Sequence, residues 1–248
     1  MRITHAFWER VNLGVNAYEI LLSPTDTPEA VAREEKRLIL DGAEYIVIKT
    51  PVNCPALLFG LPKLGYAFVE TVFQVAMKRS DYHIPALIAR FDRGLAVTEQ
   101  CEAVDRERIY DIIRKGIFVS DRISLDPAFT LEQSGNRYAN WLASILARDG
   151  KLYEVLQGEK PIGFFVIHRL DEDTVDPVLM ALYDEQNDRG MGALLHKKTL
   201  DTCFTWECSS LHSTIVSNNA KVLRIYTNAG ATIANTLYTY VKHVSHSA

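Results

Sequence analysis

The chain has 248 residues, 48% of them hydrophobic and 23% charged. This is the composition of a folded globular protein, long enough for one large domain or two small ones, and it excludes disordered and fibrous classes. With 27 basic residues against 31 acidic ones, a net charge of −4 and no basic tail or stripe, nucleic acid is not an expected partner.

The opening MRITHAFWER lacks the apolar core of a secretory leader. No apolar run approaches the roughly 18 residues of a membrane helix. Cys54, Cys101, Cys203 and Cys208 show no Cys-x-x-Cys spacing, which fits reduced thiols in a cytoplasmic protein.

Residues 1 to about 100 read as a βαβαβ-like unit. In TPEAVAREEKRLILDG, Thr27 suits an N-cap, Pro28 the first helical position and Gly42 the exit. AEYIVIKT follows as a buried, β-branched strand. CPALLFGLPKLGY suggests a short helix ending near Gly65, and AFVETVFQVAMK a long strand. RFDRGLAVTEQCEAVDRER reads as a linker. Beyond it Asp105 is placed to cap a helix whose apolar face is Ile109, Ile112 and Ile113.

A polar loop, SDRISLDPAFTLEQSGN, precedes a second helix with Tyr138, Trp141, Leu142, Ile145 and Leu146 on one face. Residues 151–185 read as three strands with turns at Gly158 and DEDT. NDRGMGALLHKKTL opens a helix on two glycines. SSLHSTIVSNN is a strand, AKVLRIYTNAG a short helix and ATIANTLYTYVK a last strand. The segments from Asn53 and from Asn219 share a plan of asparagine, short helix, glycine and long strand. Leu61 of the first stands where the second has Tyr226. Chance matching in any βαβ protein accounts for such a repeat as readily as duplication does.

A strand that ends in Arg-Gly-x-Gly and opens a helix offers bare N–H groups and a helix dipole to an anion. Gly190 and Gly192 let a diphosphate approach without a Cβ in the way. The third glycine of a dinucleotide fingerprint and the Gly-Lys-Ser/Thr of a P-loop are both absent, and alone the loop reads equally well as a plain turn. Neither His243 nor His246 has a partner at metal-ligand spacing, so no metal is expected. No Gly-x-Ser-x-Gly elbow is present.

Loop and tail together resemble the GCN5-related N-acetyltransferases. That family pairs an Arg/Gln-x-x-Gly-x-Gly/Ala loop with an Asn-x-x-Ala-x-x-x-Tyr helix ending in Gly-Phe. Here the positions are Asn187, Gly190 and Gly192, then Asn219, Val222, Tyr226, Gly230 and Ala231; Asn187, Val222 and Ala231 depart from the pattern. WERVNLGVNAYEI, LPKLGYAFVETVFQVAM and FVSDRISLDPAFTLEQSGNRYANWLASIL are similar to segments of bacterial TDP-fucosamine acetyltransferases, including Arg122, Asp126-Pro127 and Tyr138 to Trp141.

The resemblance implies an α/β fold built on a mixed sheet. It implies a partial acetyltransferase-like unit at 1–100 and a complete one at 105–248, with acetyl-CoA as cosubstrate and no metal. The acceptor would be the amine of a nucleotide-linked aminodeoxy sugar, and a homodimer is compatible with this. Backbone amides of Arg189, Gly190, Met191, Gly192 and Ala193 would hold the diphosphate and Asn219 the pantetheine. An N–H near Leu182 would polarise the thioester carbonyl, Tyr226 would protonate the departing thiolate, and Arg122, Arg137 and Tyr138 would line the acceptor site. On residue chemistry alone, Tyr226 also reads as a packing tyrosine and the arginines as solvated loop residues. Acetylation of another small amine and a non-catalytic CoA-binding regulator stay open.

Overall fold

The computed structural model describes residues 1–92, 94–100, 102–184 and 190–244. Strand β1 (Arg2–His5), helix α1 (Trp8–Leu13) and strand β2 (Ala17–Leu21) come first; the short apolar runs there are too brief to read from periodicity. Helix α2 (Pro28–Leu40) starts as its sequence requires, with Thr27 Oγ1 accepting from Ala30 N at 3.3 Å and proline in the first turn. Then come β3 (Tyr45–Pro51), α3 (Pro55–Lys63) and β4 (Ala67–Lys78).

The stretch expected to be a linker instead holds α4 (Ala86–Phe91) and β5 (Leu95–Glu99), and α5 (Ala103–Arg114) is N-capped at Glu102 rather than Asp105. Helix α6 (Leu131–Leu146) carries a capping box between Thr130 and Gln133. Its buried face includes Tyr138, Ala139, Leu142 and Ile145, while Trp141 turns outward at 40% exposure. Strands β6 (Lys151–Gln157), β7 (Lys160–Arg169) and β8 (Thr174–Leu182) lead to α7 (Met191–Thr205), β9 (Ser210–Val216), α8 (Ala220–Asn228) and β10 (Thr232–His243).

The ten strands among the described residues form one mixed sheet in the order β1-β2-β3-β10-β4-β9-β8-β7-β6-β5. The same plan occurs twice. Strands β2 and β3 are parallel, as are β8 and β9, and each first strand is followed by a helix, α2 or α7. Each second strand continues into a short helix and a long strand: α3 and β4, or α8 and β10. The halves exchange that last strand. β4 lies beside β9, β10 lies beside β3, and the two long strands pair antiparallel at the centre. The two repeats interlock through these strands, and β5, which precedes residue 100, pairs with β6 at the far edge of the sheet.

Helices cover both faces. One core under α2 and α3 holds Leu38, Ile46, Ile48, Leu57 and Leu61; a second, under α7 and α8, holds Val75, Leu195, Leu211, Ile215 and Tyr226. On the opposite face α5 and α6 pack Ile109, Ile113 and Leu142 onto Phe164 and Val166. Gly230 has φ +107, and a Cβ there would lie 2.1 Å from the Asp81 carbonyl oxygen, so the α8–β10 turn admits only glycine.

The strand exchange makes the halves interdependent. A fragment of residues 105–248 loses β4 and bares the edges of both β9 and β10. It is expected to aggregate or to melt without cooperativity; a monomeric fragment with a sharp thermal transition would show that β4 is dispensable.

Candidate active site

Strands β8 and β9 run parallel yet pair at only two positions, Thr174 with Ser210 and Val175 with Leu211. Beyond Val175 they part, although β8 continues to Leu182 and β9 to Val216. Local sequence explains the parting. Pro177 has no N–H to donate, and the β7–β8 register slips at Val178, where two residues of β8 face one of β7. The first repeat provides the contrast: β2 and β3 pair at every position from Ala17–Tyr45 to Leu21–Lys49.

The parting leaves one edge of β8 without a neighbouring strand inside the sheet. Tyr183 N donates to Ile162 O of β7 at 3.0 Å, so by alternation the N–H groups of Leu182 and Met180 face the gap. An extended chain bearing amides can pair with such an edge. From Pro177 to Leu182 the edge runs roughly 16 Å.

At the mouth of the gap α7 begins. Gly190 caps it with φ 90, a left-handed conformation that favours glycine, and no acidic side chain occupies the first turn. Among the described residues, a Cβ on Gly190 would meet nothing within 4 Å. Met191 packs against the core that Leu182 and Leu195 share with Tyr226. Arg189, and with it Asn187 of the loop motif, lies outside the described residues. Asn219 caps α8, and its side chain makes no hydrogen bond among the described residues.

At the foot of the gap stands Tyr226, the one fully buried residue of α8, at 1% exposure. Its ring meets His196 edge-on, with centroids 5.7 Å apart. Its hydroxyl is buried and makes no hydrogen bond among the described residues. Burial holds the phenol pKa well above its usual value, and a side-chain contact with Ser213 pulls the other way. Ser213 of β9 donates to Pro177 O at 3.4 Å across the narrow end of the gap.

Asp176 is a neighbour that sequence reading missed. Burial pushes its carboxyl up to about 7, against a side-chain contact with Ser213. One carboxyl oxygen, Oδ1, is buried without a hydrogen bond, and the other lies 3.9 Å from His168 Nε2. A signal was present: an Asp-Pro pair inside an otherwise apolar strand is where a bulge and a functional carboxyl are to be sought. Leu182 lies five residues beyond Pro177, in the same core cluster as Tyr226.

No family model and no curated protein matches the chain. Solved structures do. A GCN5-related N-acetyltransferase from Kribbella flavida aligns over 93% of this chain and 82% of its own, at 14% identity and TM-score 0.59. A tandem protein of that kind from the clavulanic acid biosynthesis pathway aligns over 95% and 77%, at 10% identity and TM-score 0.58. A glucosamine N-acetyltransferase region in a fungal multi-domain beta-N-acetylglucosaminidase aligns over 91% of this chain and 30% of its own, at 12% identity and TM-score 0.65. The chain has the GCN5-related N-acetyltransferase fold.

Within that acetyltransferase fold, Arg122, Arg137 and Tyr138 belong to the segment between α5 and α6 and to the first half of α6, and both arginines are ion-paired. They lie at the seam between the repeats. Arg122 binds Glu9 at 3.2 Å and Glu19 at 2.9 Å; Arg137 Nε binds Glu9 at 2.9 Å, and its Nη1 lies 3.5 Å from Asp121. Glu9 is fully buried. Burial opposes the Arg122 charge, but Glu19 and its neighbours outweigh it and hold the guanidinium charged. Tyr138 packs on Phe118 with centroids 4.7 Å apart. His243 belongs to the same seam: its Nε2 meets Asp126 at 2.8 Å, tying β10 to the segment before α6, while His246 lies outside the described residues.

These arginines hold the segment between α5 and α6 against the first repeat. Arg122→Met leaves buried Glu9 with Arg137 alone, and the expected loss is about 3 kcal/mol, the low end for breaking a buried pair. Urea unfolding reads it, and acetyl-CoA affinity should not change. A stability loss below about 1 kcal/mol would show the seam is not held by this pair.

Proposed function

We propose that this chain transfers the acetyl group of acetyl-CoA to a small-molecule amine. One observation carries the reading: a parallel strand pair unzips between a glycine-capped helix start and a buried tyrosine. Pantetheine is an extended chain of amides, and the gap supplies a strand edge of fitting length with an anion-binding helix end at its mouth.

In this reading the amides of Gly190, Met191, Gly192 and Ala193, with Arg189 before them, hold the diphosphate. The β8 edge pairs with the pantetheine, and Asn219 holds the arm from the other wall. The donor that polarises the thioester carbonyl is one of the two gap-facing N–H groups past the bulge, that of Leu182 or that of Met180. The amine attacks directly. Asp176 accepts its proton, and Tyr226 faces the sulfur.

The acceptor in the first reading is a nucleotide-linked aminodeoxy sugar, supported by the resemblance of the segments around Arg122 and Tyr138. A specific observation favours a second reading, another small amine: Arg122 and Arg137 are committed to Glu9, Glu19 and Asp121, so neither stands free to receive a nucleotide diphosphate. A panel of amines and amino-sugar nucleotides with acetyl-CoA, followed by thiol release, decides between them.

Two measurements check the machinery. Gly190→Val and Gly192→Val should each weaken acetyl-CoA binding at least tenfold, about 1.4 kcal/mol, in calorimetry on protein shown to be folded by its melt. Unchanged affinity in both would remove the loop from the diphosphate site.

Tyr226→Phe should lower kcat by about 10²–10⁴ with acetyl-CoA affinity intact. Because burial raises this phenol, the alkaline fall in wild-type rate should come above the usual phenol range near 10. A Phe variant within about threefold of wild type would leave Tyr226 a packing residue.

A further inference from the structure

Three polar side chains meet where β8 and β9 part, and two of them carry a buried atom without a hydrogen bond. Asp176 Oδ1 is one, the Tyr226 hydroxyl the other. Ser213 stands beside both: its hydroxyl donates at 3.4 Å to the carbonyl of Pro177, the residue after Asp176, and its side chain is on the β9 face whose Leu211 and Ile215 pack with Tyr226. Two orphaned polar groups beside one hydroxyl are costly, at roughly 1–3 kcal/mol each, and ask for a role.

We propose that Ser213 closes a proton relay between Asp176 and Tyr226, returning the proton taken from the acceptor amine to the departing sulfur. The proposal rests on the acetyl-transfer reading and adds a relay that the reading does not contain.

The chemistry balances without a further reactant. The amine nitrogen forms a bond to the thioester carbonyl carbon and gives one proton to the Asp176 carboxylate. The C–S bond breaks, and sulfur takes the Tyr226 proton. The Ser213 hydroxyl gives its proton to the phenolate oxygen and takes the one on Asp176. Amide and free thiol leave, and all three side chains regain their starting protonation.

Energetics give the relay its purpose. An alkyl thiol has a pKa of about 8.5, below even an unperturbed phenol, so Tyr226 alone would donate uphill. Its burial makes the deficit larger. With Ser213 refilling the phenol in the same step, no phenolate accumulates, and the proton comes in effect from Asp176, whose carboxyl titrates near 7, below the thiol. His168 of β7 lies 3.9 Å from Asp176, Ser213 of β9 lowers its proton affinity, and its charge is felt by Cys203 of α7 and Tyr226 of α8. Burial lowers the His168 pKa, keeping the ring neutral near pH 7, and raises that of Cys203, keeping it a thiol.

The test uses the full chain, acetyl-CoA and the fastest amine of the panel, with thiol release as readout. Ser213→Ala should lower kcat about 10²-fold and leave the acetyl-CoA KM unchanged, while Ser213→Thr, which keeps the hydroxyl, should recover to within a few-fold. The double variant Ser213→Ala/Tyr226→Phe should be no slower than Tyr226→Phe alone, because both interrupt one route. Wild-type rate should rise with pH through about 7, as Asp176 loses its proton, and Asp176→Asn should lack that limb. A Ser213→Ala enzyme within threefold of wild type, or a double variant whose losses multiply, overturns the relay. No thiol release with any amine overturns the acetyl-transfer reading and the relay with it.

Discussion

Everything at the candidate site depends on a β-ladder that stops early. Two parallel strands form two register pairs and then separate, leaving backbone donors and acceptors facing an open slot in the middle of a sheet. Unpaired buried backbone groups are costly, so a gap of this kind persists only if each wall is held from its other side. That condition is met here. Strand β8 is held by β7 from Val175 to Leu182, and β9 is held by β4 over seven register pairs, from Val72–Val216 to Lys78–Ser210.

The strand holding β9 belongs to the first repeat. This gives the first half a part in the candidate site although its own strand pair stays zipped and Leu61 stands where the second half has Tyr226. Exchange of β4 and β10 makes the gap's outer wall a product of both halves, and the Arg122–Glu9 seam locks the intervening segment onto the same assembly. The site is thereby preorganised: closing the slot would require β9 to leave β4, and not merely a side chain to turn.

Much of this architecture was legible in sequence. The cap at Thr27, the helix opened by Gly190 and the strand–helix–strand order around Tyr226 all follow from local rules that tertiary context did not override; the paired plan of the two halves was visible only as a pattern that chance matched equally well. Three features were not legible, each for a physical reason. β1, α1 and α4 are only four to six residues long, too short for a period to show. The strand exchange is a long-range pairing choice between two strands of equal length, β4 and β10, to which no local propensity speaks. And Arg122 and Arg137 look available as isolated residues; only the fold brings Glu9 and Glu19, more than a hundred positions away, to neutralise them.

The two repeats show how one plan diverges by small changes at equivalent places. In the first, the parallel pair stays zipped, Leu61 fills the core beneath it, and charged groups on the sheet face are bound into ion pairs around Arg122. In the second, Pro177 and the bulge open the pair, Tyr226 replaces the leucine, and Asp176 is buried with only His168, whose pKa burial lowers, near its carboxyl among the basic side chains of the described residues. A paired carboxylate stabilises a fold but has little proton affinity left to use, whereas an unpaired buried one destabilises it and titrates where catalysis needs it. Stability supplied by the closed repeat is thus what permits the open repeat to hold its polar groups unsatisfied.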